Sequence, residues 1–436
     1  MRSALSVDLY QLTMGESYVG EGLAEEAATF SLFFRTLPPG WGYAIAAGLD
    51  DALRYLEELE FAEDDLAYLE GTGLFSPAFL ERLRGLRFGG DVRALPEGTV
   101  FFPQEPVLEV TAPIVEAQIA ETMVLNEIHL QTVVAGKAAR SVDVARGRQL
   151  VDFALRRTHG GEAGLKVARA SYLAGFDATS NVLAGRVYGI PIAGTMAHSY
   201  VEAFDGELEA FRAYARAYPD RAILLVDTYD TIEGVRRAIE VGSELAERGH
   251  RLRGVRLDSG DLAELSVAAR ALLDAAGLHD AVVFASGGLD EHEIERLLSA
   301  GAPIGGFGVG SKMGVSADAP FLDMAYKLVE HRGRPTLKLS EGKATLPGRK
   351  QVWRVPGAYD VLGLVDEPYE GQGEPLLAEV MAGGRRLHSE SLDEIRGRAR
   401  SQRESLSARC RRLDAEPYEV RPDPALERLR AGLAMR

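Results

Sequence analysis

The sequence predicts an α/β fold organised around an irregular barrel of parallel strands, and three observations support this prediction. Seven short apolar runs lie between Leu150 and Met313. Helix-like segments fill most of the gaps between the runs, and such alternation implies parallel strands joined by right-handed crossovers. Each run stops on residues suited to chemistry rather than to packing. A barrel would gather these ends on one face, where such enzymes build their sites, whereas a doubly wound sheet would concentrate its site at one switch point.

The seven runs have the length of strands, and polar residues or glycine follow each of them. In order, they are Leu150–Leu155 before Arg156 and Arg157, a weak run at Phe176 before Asp177, Ile190–Ala193 before Gly194 and His198, Ala222–Val226 before Asp227, Leu252–Leu257 before Asp258, Ala281–Ala285 before Ser286, and Ile304–Val309 before Gly310. The pattern therefore predicts a site as well as a fold.

The outer thirds of the chain predict a second, α+β domain. Val92–Val110 resembles strands separated by prolines, and Val115–Val144 has the pattern of a long helix. From about Tyr326 the chain returns to strand-like pieces before a charged, largely helical tail. The simplest assembly has residues 1–120 and 326–436 forming one domain beside a central barrel of residues 121–325.

Composition narrows the functional class. The 436 residues suit two or three domains, and 46% hydrophobic with 26% charged residues matches a folded soluble protein. No stretch approaches the roughly 18 apolar residues of a membrane span, and the first residues lack a secretory signal. The lone Cys410 excludes an internal disulfide and a cysteine-rich zinc module, and the net charge of −16 argues against nucleic acid as the main partner. We expect a cytoplasmic protein that binds neither nucleic acid nor membrane.

The first predicted strand end combines an aromatic ring with two guanidinium groups. The planar fork of arginine suits phosphate or carboxylate, although a surface ion pair is the alternative. Neighbouring residues on a strand face opposite ways, so we expect at most one of Arg156 and Arg157 to point into the site. Phe153 shares a face with Leu155, so a role in the core competes with stacking on a substrate ring.

The third strand end offers a histidine between small residues. His198 follows Gly194 and can act as base, acid or nucleophile near neutral pH. A structural histidine is the alternative interpretation. His159 has a comparable position after the first strand and is a second candidate.

The later strand ends pair charges and then glycines. Alternation puts Arg256 and Asp258 on one side of the fifth strand, where they predict either an anion and sugar site or a buried salt bridge before a helix cap. The turns at Ser286-Gly287-Gly288 and at Gly308-Val309-Gly310 follow the last two strands, which is the common phosphate position of barrels. Ordinary tight turns are the alternative for these glycines.

Six motifs in this order resemble those of the nicotinate phosphoribosyltransferase family. The resemblance runs from about Asp8 to Trp353, and it is carried by Asp8–Met14, Asp152–Gly160, Gly175–Asn181, Gly194–His198, Val255–Asp261 and Phe307–Lys312. It implies a barrel like that of the type II phosphoribosyltransferases. It also implies that nicotinate attacks C1 of phosphoribosyl pyrophosphate to give nicotinate mononucleotide and pyrophosphate, with coupled ATP hydrolysis, a phosphohistidine and Mg²⁺.

The same resemblance implies roles for individual residues. His198 matches the phosphorylated histidine, which favours it over His159. The other implied roles are Tyr10 stacking on the pyridine ring from the second subunit of a homodimer, Phe153 on the opposite face of that ring, Arg256 on the nicotinate carboxylate or a diphosphate oxygen, Arg156 on the diphosphate, Asp258 on ribose or its magnesium, and Ser286, Gly287, Gly308, Gly310 and Lys312 around the 5-phosphate.

Three alternatives stay open at this point. A nicotinamide phosphoribosyltransferase shares the architecture, and a carboxylate at Asp177 near the ring would accept from an amide. The pair Arg156-Arg157 and the stretch Thr179-Ser180-Asn181 favour the acid. A phosphosugar lyase or isomerase barrel could use Lys166 as a Schiff base. A barrel that binds nucleotides without catalysis is the third.

Overall fold

The computed structural model describes residues 3–340, 345–367, 369–387 and 389–435, and the chain divides into two compact units. Unit 1 comprises Met1–Gly136 and Phe321–Arg436, and unit 2 comprises Lys137–Pro320. The sequence predicted boundaries after residues 120 and 325 instead.

The helices and strands alternate most regularly in unit 2. The helices are α1 (Leu9–Gly20), α2 (Leu49–Glu57), α3 (Glu63–Gly71), α4 (Pro77–Arg84), α5 (Ile114–Val144), α6 (Gly161–Ala174), α7 (Val182–Tyr188), α8 (His198–Glu202), α9 (Glu207–Ala217), α10 (Thr231–Glu247), α11 (Leu262–Ala275), α12 (Glu291–Ser299), α13 (Ser311–Gly314), α14 (Leu392–Ser405) and α15 (Pro424–Ala434).

The strands are β1 (Ala27–Phe34), β2 (Ala44–Ile45), β3 (Asp91–Ala94), β4 (Val100–Phe101), β5 (Leu108–Pro113), β6 (Gln149–Asp152), β7 (Ala178–Thr179), β8 (Ile223–Leu225), β9 (Gly254–Leu257), β10 (Val282–Ala285), β11 (Gly306–Val309), β12 (Met324–His331), β13 (Arg334–Pro335), β14 (Lys350–Val355), β15 (Tyr359–Leu364), β16 (Glu374–Pro375), β17 (Ala378–Ala382), β18 (Arg385–Arg386) and β19 (Val420–Pro422).

Unit 2 contains a six-stranded parallel sheet in the order β7-β6-β11-β10-β9-β8. Each step between neighbours is parallel, and α10, α11 and α12 connect β8 to β9, β9 to β10 and β10 to β11. The predicted parallel α/β architecture is therefore confirmed. All carboxyl ends lie at one edge of the sheet, where sites form in such folds.

The sheet is an open half-barrel rather than a closed barrel. The predicted strand Ile190–Ala193 forms only one bridge, between Ile192 and Thr179, and no pairing between that segment and β8 is found among the described residues. Pro191 has no N–H to give to a ladder, which limits this segment as a strand. The prediction of seven barrel strands was wrong on this point.

Unit 1 is built on antiparallel strands from both ends of the chain. Its larger sheet has the order β13-β12-β1-β5-β3-β17-β18, and a second sheet has the order β16-β14-β15-β19. The alternating apolar residues of β1 pack into the core, where the ring of Phe30 stacks on that of Tyr326 with centroids 4.9 Å apart. In the described part of the chain, no helix combines the length and the apolar character that crossing a membrane requires.

Candidate active site

Arg256 is the centre of the polar cluster at the carboxyl ends of the parallel strands. Its side chain is largely buried, and its Nε donates to Ser286 Oγ at 2.7 Å. Its Nη1 donates to Thr195 Oγ1 at 2.9 Å and to the Met196 carbonyl at 3.2 Å, while Nη2 donates to Asp258 Oδ1 at 2.7 Å. A guanidinium carries five N–H groups. One N–H on Nη2 therefore has no acceptor among the described residues and is available to a ligand.

Asp258 faces Arg256 with one oxygen and the site with the other. Its Oδ1 accepts hydrogen bonds from Arg256 and from Ser286 Oγ, the latter at 2.5 Å. Burial alone would raise the pKa of this carboxyl group, but the hydrogen bonds from Ser286 and Arg256 and the nearby positive charge outweigh burial and hold the pKa below its ordinary value. The group is therefore a carboxylate at neutral pH.

His198 begins α8 and lies next to the free oxygen of Asp258. Its Nε2 is 3.6 Å from Asp258 Oδ2, and its Nδ1 is 3.2 Å from Thr228 Oγ1. About 39% of its side chain is exposed, so one edge of the ring is accessible to a reactant. No sequence pattern singles out Thr228, because a threonine after a strand is an ordinary turn residue.

Asp227 holds the turn that carries Asp258. Its Oδ2 accepts from the backbone N–H of Asp258 at 3.0 Å and from Ser259 Oγ at 2.6 Å. Three residues later, Asp230 caps α10 by accepting from the Glu233 N–H. The segment thus works as a strand end and helix cap, and its contacts fix the backbone beneath the Asp258 carboxylate.

Phe153 lies over the glycine strand β11. Its ring centroid is 5.4 Å from the Arg256 guanidinium carbon, within the range of a cation–π contact. A Cβ on Gly308 would lie 2.4 Å from this ring, and one on Gly310 would lie 3.1 Å from the Phe153 carbonyl oxygen. The ring of Phe153 therefore leaves no room for a side chain at Gly308, and a side chain at Gly310 would crowd the Phe153 backbone.

The first glycine turn, Ser286-Gly287-Gly288, requires glycine for a different steric reason. Gly287 has a φ of +91°, and a Cβ there would lie 1.9 Å from the Asp258 carbonyl oxygen. Gly288 has a φ of +66° and open space around its Cα. The backbone N–H groups of both glycines lack an acceptor among the described residues, so the turn that leads into α12 presents donors to an anion.

Ser286 and Lys312 are already bonded to protein groups. The Ser286 hydroxyl lies between Arg256 and Asp258 and is 2% exposed as a residue, so its side chain organises the cluster. Lys312 Nζ donates to Asp290 Oδ2 at 2.8 Å, and Asp290 is the N-cap of α12. This ion pair links the second glycine turn to the first.

The two arginines of the first motif are on a 3₁₀ turn, not on a strand. β6 ends at Asp152, and Leu155–Arg157 forms the turn. Both guanidinium groups are exposed and have no ion-pair partner among the described residues. Because the strand ends before them, strand alternation does not decide which of the two arginines faces the site, and the expectation that at most one of them does stays a prediction. Two exposed cations without an ion-pair partner in the described part of the chain thus follow the carboxyl end of β6.

Asp177 and Thr179 occupy positions that the sequence did not predict. Asp177 lies before β7, level with Leu150 near the amino end of β6, and its Oδ2 accepts from the Leu150 N–H at 2.9 Å. It is therefore away from the carboxyl ends where Asp258 and His198 lie. Thr179 is 1% exposed, donates to Asp152 Oδ2 at 2.7 Å and accepts from the Asn181 N–H at 3.0 Å, so its hydroxyl is used internally.

Tyr10 belongs to unit 1 and is exposed at the start of α1. About 47% of the residue is accessible, and Leu9 beside it is 56% accessible. Partial burial, followed by the charge and hydrogen bond of Glu121, raises the pKa of the Tyr10 hydroxyl above its ordinary value. The hydroxyl is thus neutral, and the ring is open to a partner.

Two places in unit 2 bring carboxylates into positions where a metal ion could be held. Glu291, His292 and Asp318 bring ligand atoms together, but the Lys137 ammonium already bonds Glu291 and Asp318, which leaves no place for a cation. Within the described ranges of the chain, Asp258 Oδ2 has no donor closer than His198 at 3.6 Å. Because Mg²⁺ at phosphate sites takes one or two carboxylates plus phosphate and water, Asp258 fits that ion.

Comparisons with known proteins agree along nearly the whole chain. Residues 5–129 match the model of the nicotinate phosphoribosyltransferase N-terminal domain, and residues 148–341 match that of the nicotinate phosphoribosyltransferase family. The nicotinate phosphoribosyltransferase pncB2 of Mycobacterium tuberculosis is 54% identical over 421 residues, covering 95% of this chain and 90% of its own length. The human enzyme of that name is 35% identical, covering 85% and 81%. The crystal structure of human nicotinic acid phosphoribosyltransferase superposes with a TM-score of 0.87 at 32% identity, covering 98% and 99%.

Proposed function

This chain belongs to the nicotinate phosphoribosyltransferase family, and we propose how its own residues carry out the reaction of that family. The enzyme converts nicotinate to nicotinate mononucleotide. In the reaction the pyridine nitrogen forms a bond to C1 of phosphoribosyl pyrophosphate as the bond from C1 to the diphosphate breaks. The cluster of Arg256, Asp258 and Ser286 beside His198 is the observation that carries the proposal.

We propose that nicotinate lies beside Phe153 and Arg256, which are in contact with each other. A flat ring on Phe153 would lie next to the guanidinium, whose unassigned N–H on Nη2 can donate to the nicotinate carboxylate. We infer that Tyr10 of a second copy covers the other face of the ring, which requires a homodimer; its exposed ring supports this. The position of Asp177 removes the argument for an amide substrate, because its carboxylate is bonded to the Leu150 N–H.

Phosphoribosyl pyrophosphate fits along the strand ends. The free N–H groups of Gly287 and Gly288 support a 5-phosphate site there, with Gly308, Gly310 and Lys312 on the neighbouring strand. Ser286 would contribute through backbone position, since its hydroxyl is bonded within the cluster. Arg156, exposed and unpaired among the described residues, is proposed to hold the diphosphate.

The charges suit a transition state in which positive charge develops on ribose and negative charge on the leaving diphosphate. Asp258 is held as a carboxylate by its lowered pKa and can stabilise the sugar cation. Arg156 would stabilise the departing diphosphate from the other side. Mg²⁺ on Asp258 Oδ2, when bound, would neutralise diphosphate oxygens.

His198 is proposed as the residue that couples ATP hydrolysis to transfer. A ring nitrogen would form a bond to the γ-phosphorus as the bond to ADP breaks, and water would later take the phosphoryl group. Thr228 on Nδ1 and Asp258 near Nε2 hold the ring in place.

We also propose a type II phosphoribosyltransferase-like architecture with an α+β second domain, supported by the half-barrel and by the mixed sheets of unit 1.

A phosphosugar lyase using Lys166 is less well supported. Lys166 is 7% exposed on α6 and lies 3.7 Å from the Glu162 carboxylate, so its amine is directed to a protein group rather than presented to a sugar. Borohydride trapping of a sugar phosphate on this lysine would revive that candidate.

The decisive experiment has two parts. Steady-state assays with nicotinate, nicotinamide and quinolinate should give turnover with nicotinate; turnover of nicotinamide alone would overturn the assignment. Incubation with γ-labelled ATP and mapping of acid-labile phosphate should place the label on His198. Label on another residue, or none in an enzyme that requires ATP, would refute the phosphohistidine.

A further inference from the structure

Three charged side chains are buried beneath the first turn of α12. Lys137 Nζ donates to Glu291 Oε1 at 2.8 Å, and Arg140 Nε donates to the same oxygen at 2.9 Å. The exposed fractions of the three side chains are 2%, 7% and 0% for Lys137, Arg140 and Glu291. Asp318, which is 40% exposed, bonds to Lys137 at the outer edge.

A contribution to stability does not by itself explain this buried network. Buried ion pairs often stabilise a protein no more than apolar residues of the same volume would, because desolvation offsets the attraction. In addition, Glu291 Oε2 is buried with no hydrogen-bond partner among the described residues. Buried unsatisfied groups of this kind call for an explanation beyond packing.

The location of the network suggests its purpose. Glu291 is the first residue of α12 and directly follows its N-cap, Asp290, which in turn pairs with Lys312. The turn with the free Gly287 and Gly288 N–H groups enters this same helix end. The start of α12 is thus held from below by Lys137 and from the second glycine turn by Lys312.

The charges also favour an anion at this helix end. A carboxylate at the first helical position would repel phosphate if it were unpaired. Lys137 and Arg140 offset the charges of Glu291 and Asp318, so the buried carboxylate does not leave a net negative charge beneath the turn that would oppose an anion. The positive end of the helix dipole then favours an anion there.

We propose that Lys137, Arg140 and Glu291 are positioning residues that hold the Gly287–Gly288 turn in the conformation that binds the 5-phosphate of phosphoribosyl pyrophosphate. The inference rests on the proposed function, which assigns the 5-phosphate to that turn. None of the three contacts the substrate; they act through the backbone at the start of α12.

The chain offers a matched control in unit 1. Lys350 and Glu109 form another buried lysine–glutamate pair, with Nζ and Oε1 3.2 Å apart and both side chains 2% exposed. Lys137→Met and Lys350→Met therefore make the same chemical change in the two units. Glu291→Gln keeps the shape of the carboxylate and removes its charge.

The test compares Michaelis constants in these variants. Lys137→Met and Glu291→Gln should raise KM for phosphoribosyl pyrophosphate by about tenfold, the effect of one hydrogen bond to a charged group. We expect KM for nicotinate and kcat to stay within about twofold. Lys137→Arg should restore part of the loss, and Lys350→Met should leave the ratio of the two KM values unchanged.

Two outcomes would overturn the inference. One is a folded Lys137→Met or Glu291→Gln enzyme with unchanged KM for phosphoribosyl pyrophosphate. The other is an equal rise in both KM values, which would indicate general disruption. If the buried variants do not fold, Asp318→Asn at the exposed edge takes their place, with the same expected direction and the same refuting result.

Binding of ribose 5-phosphate, followed by thermal shift, separates this inference from the proposed function. Wild-type protein that binds ribose 5-phosphate but does not turn over nicotinate would refute the function. Loss of that binding in Glu291→Gln would still support the network, and retention of it would refute the network.

Discussion

Each unit buries an arginine–aspartate pair, and the two pairs differ in what is left open. In unit 1, Arg354 bonds both oxygens of Asp360, which also accepts from Tyr418, and Asp360 is fully buried. In unit 2, Arg256 bonds only Oδ1 of Asp258, whose side chain is 28% exposed. The same ion pair is a closed structural contact in one unit and an incomplete one in the other. In the incomplete pair, one N–H of Arg256 and Oδ2 of Asp258 are left to bind a substrate.

The largest expected effect is the loss of activity when the charge of Asp258 is removed from the incomplete pair Arg256–Asp258, here called the open pair. Asp258→Asn should lower kcat/KM by roughly a thousandfold, as removal of a preorganised transition-state charge does, while the melting temperature changes little. Asp360→Asn should do the reverse, because it leaves Arg354 buried beside an amide. Kinetics and thermal melts on both variants measure this. Equal effects on stability and activity in the two would remove the distinction.

Arg256→Lys tests the fork geometry of the open pair. A lysine cannot reproduce four hydrogen bonds in the plane of Arg256. We expect KM for nicotinate to rise by roughly tenfold to a hundredfold, read from initial rates. Arg354→Lys is the matched change in unit 1 and should reduce only stability. A normal KM for nicotinate in Arg256→Lys would show that the carboxylate binds elsewhere.

Gly308→Ala should have a smaller effect, through the aromatic ring. The new methyl group would lie 2.4 Å from Phe153, so the ring must shift away from Arg256. We expect about a tenfold loss in kcat/KM for nicotinate, since small misplacements are costly at reacting centres. Gly206→Ala, where no atom lies within 4 Å of the added Cβ, is the control. Unchanged kinetics in Gly308→Ala would mean that Phe153 does not position the substrate.

The smallest expected effect is a pH-dependent change in stability at Glu105, whose carboxyl group is affected by Asp360 of the closed pair Arg354–Asp360. Burial, followed by the charge of Asp360, raises the pKa of Glu105 well above the ordinary 4.5. The protonated form therefore stabilises the fold below that ordinary value, and this stability is lost as pH rises through the raised pKa. Glu105→Gln mimics the protonated acid.

Glu105→Gln should accordingly melt at a temperature about 2–4 °C higher than wild type at about pH 8, with no gain at about pH 5. Thermal melts at the two pH values measure the difference. The exposed Glu70 provides a control as Glu70→Gln, which should show no pH-dependent gain. A destabilised Glu105→Gln at the higher pH would indicate that the wild-type group is charged in the fold.

The parallel order of unit 2 could be predicted because its strands alternate with helices of ordinary length. The alternation rule also placed Arg256 and Asp258 on one side, where Nη2 and Oδ1 do bond. The rule does not apply at Arg156, since β6 ends four residues earlier than that arginine. Over the few residues from Leu150 to Leu155, an apolar run predicts one longer strand equally well as a short strand followed by a 3₁₀ turn.

Asp177 shows a second limit of sequence patterns. The apolar residue before it suggested a strand that ends there, but the two-residue β7 begins just after it. An aspartate that starts a strand and one that ends a strand look alike in sequence. The internal bonds of Thr179 and Ser286 were also beyond prediction, because they depend on strands that lie side by side only after folding.

The pairing of β1 with β12 has a consequence for synthesis. Phe34 lies opposite Met324 and Ala28 opposite His331, so one edge of β1 has no partner until the ribosome has made nearly three hundred further residues. All of unit 2 emerges during that interval and can complete its parallel sheet first. An apolar strand with an open edge is a site for wrong pairing between nascent chains. Unit 2, which holds the Arg256 cluster, can thus fold at a stage of synthesis when unit 1 still exposes the open edge of β1 to aggregation.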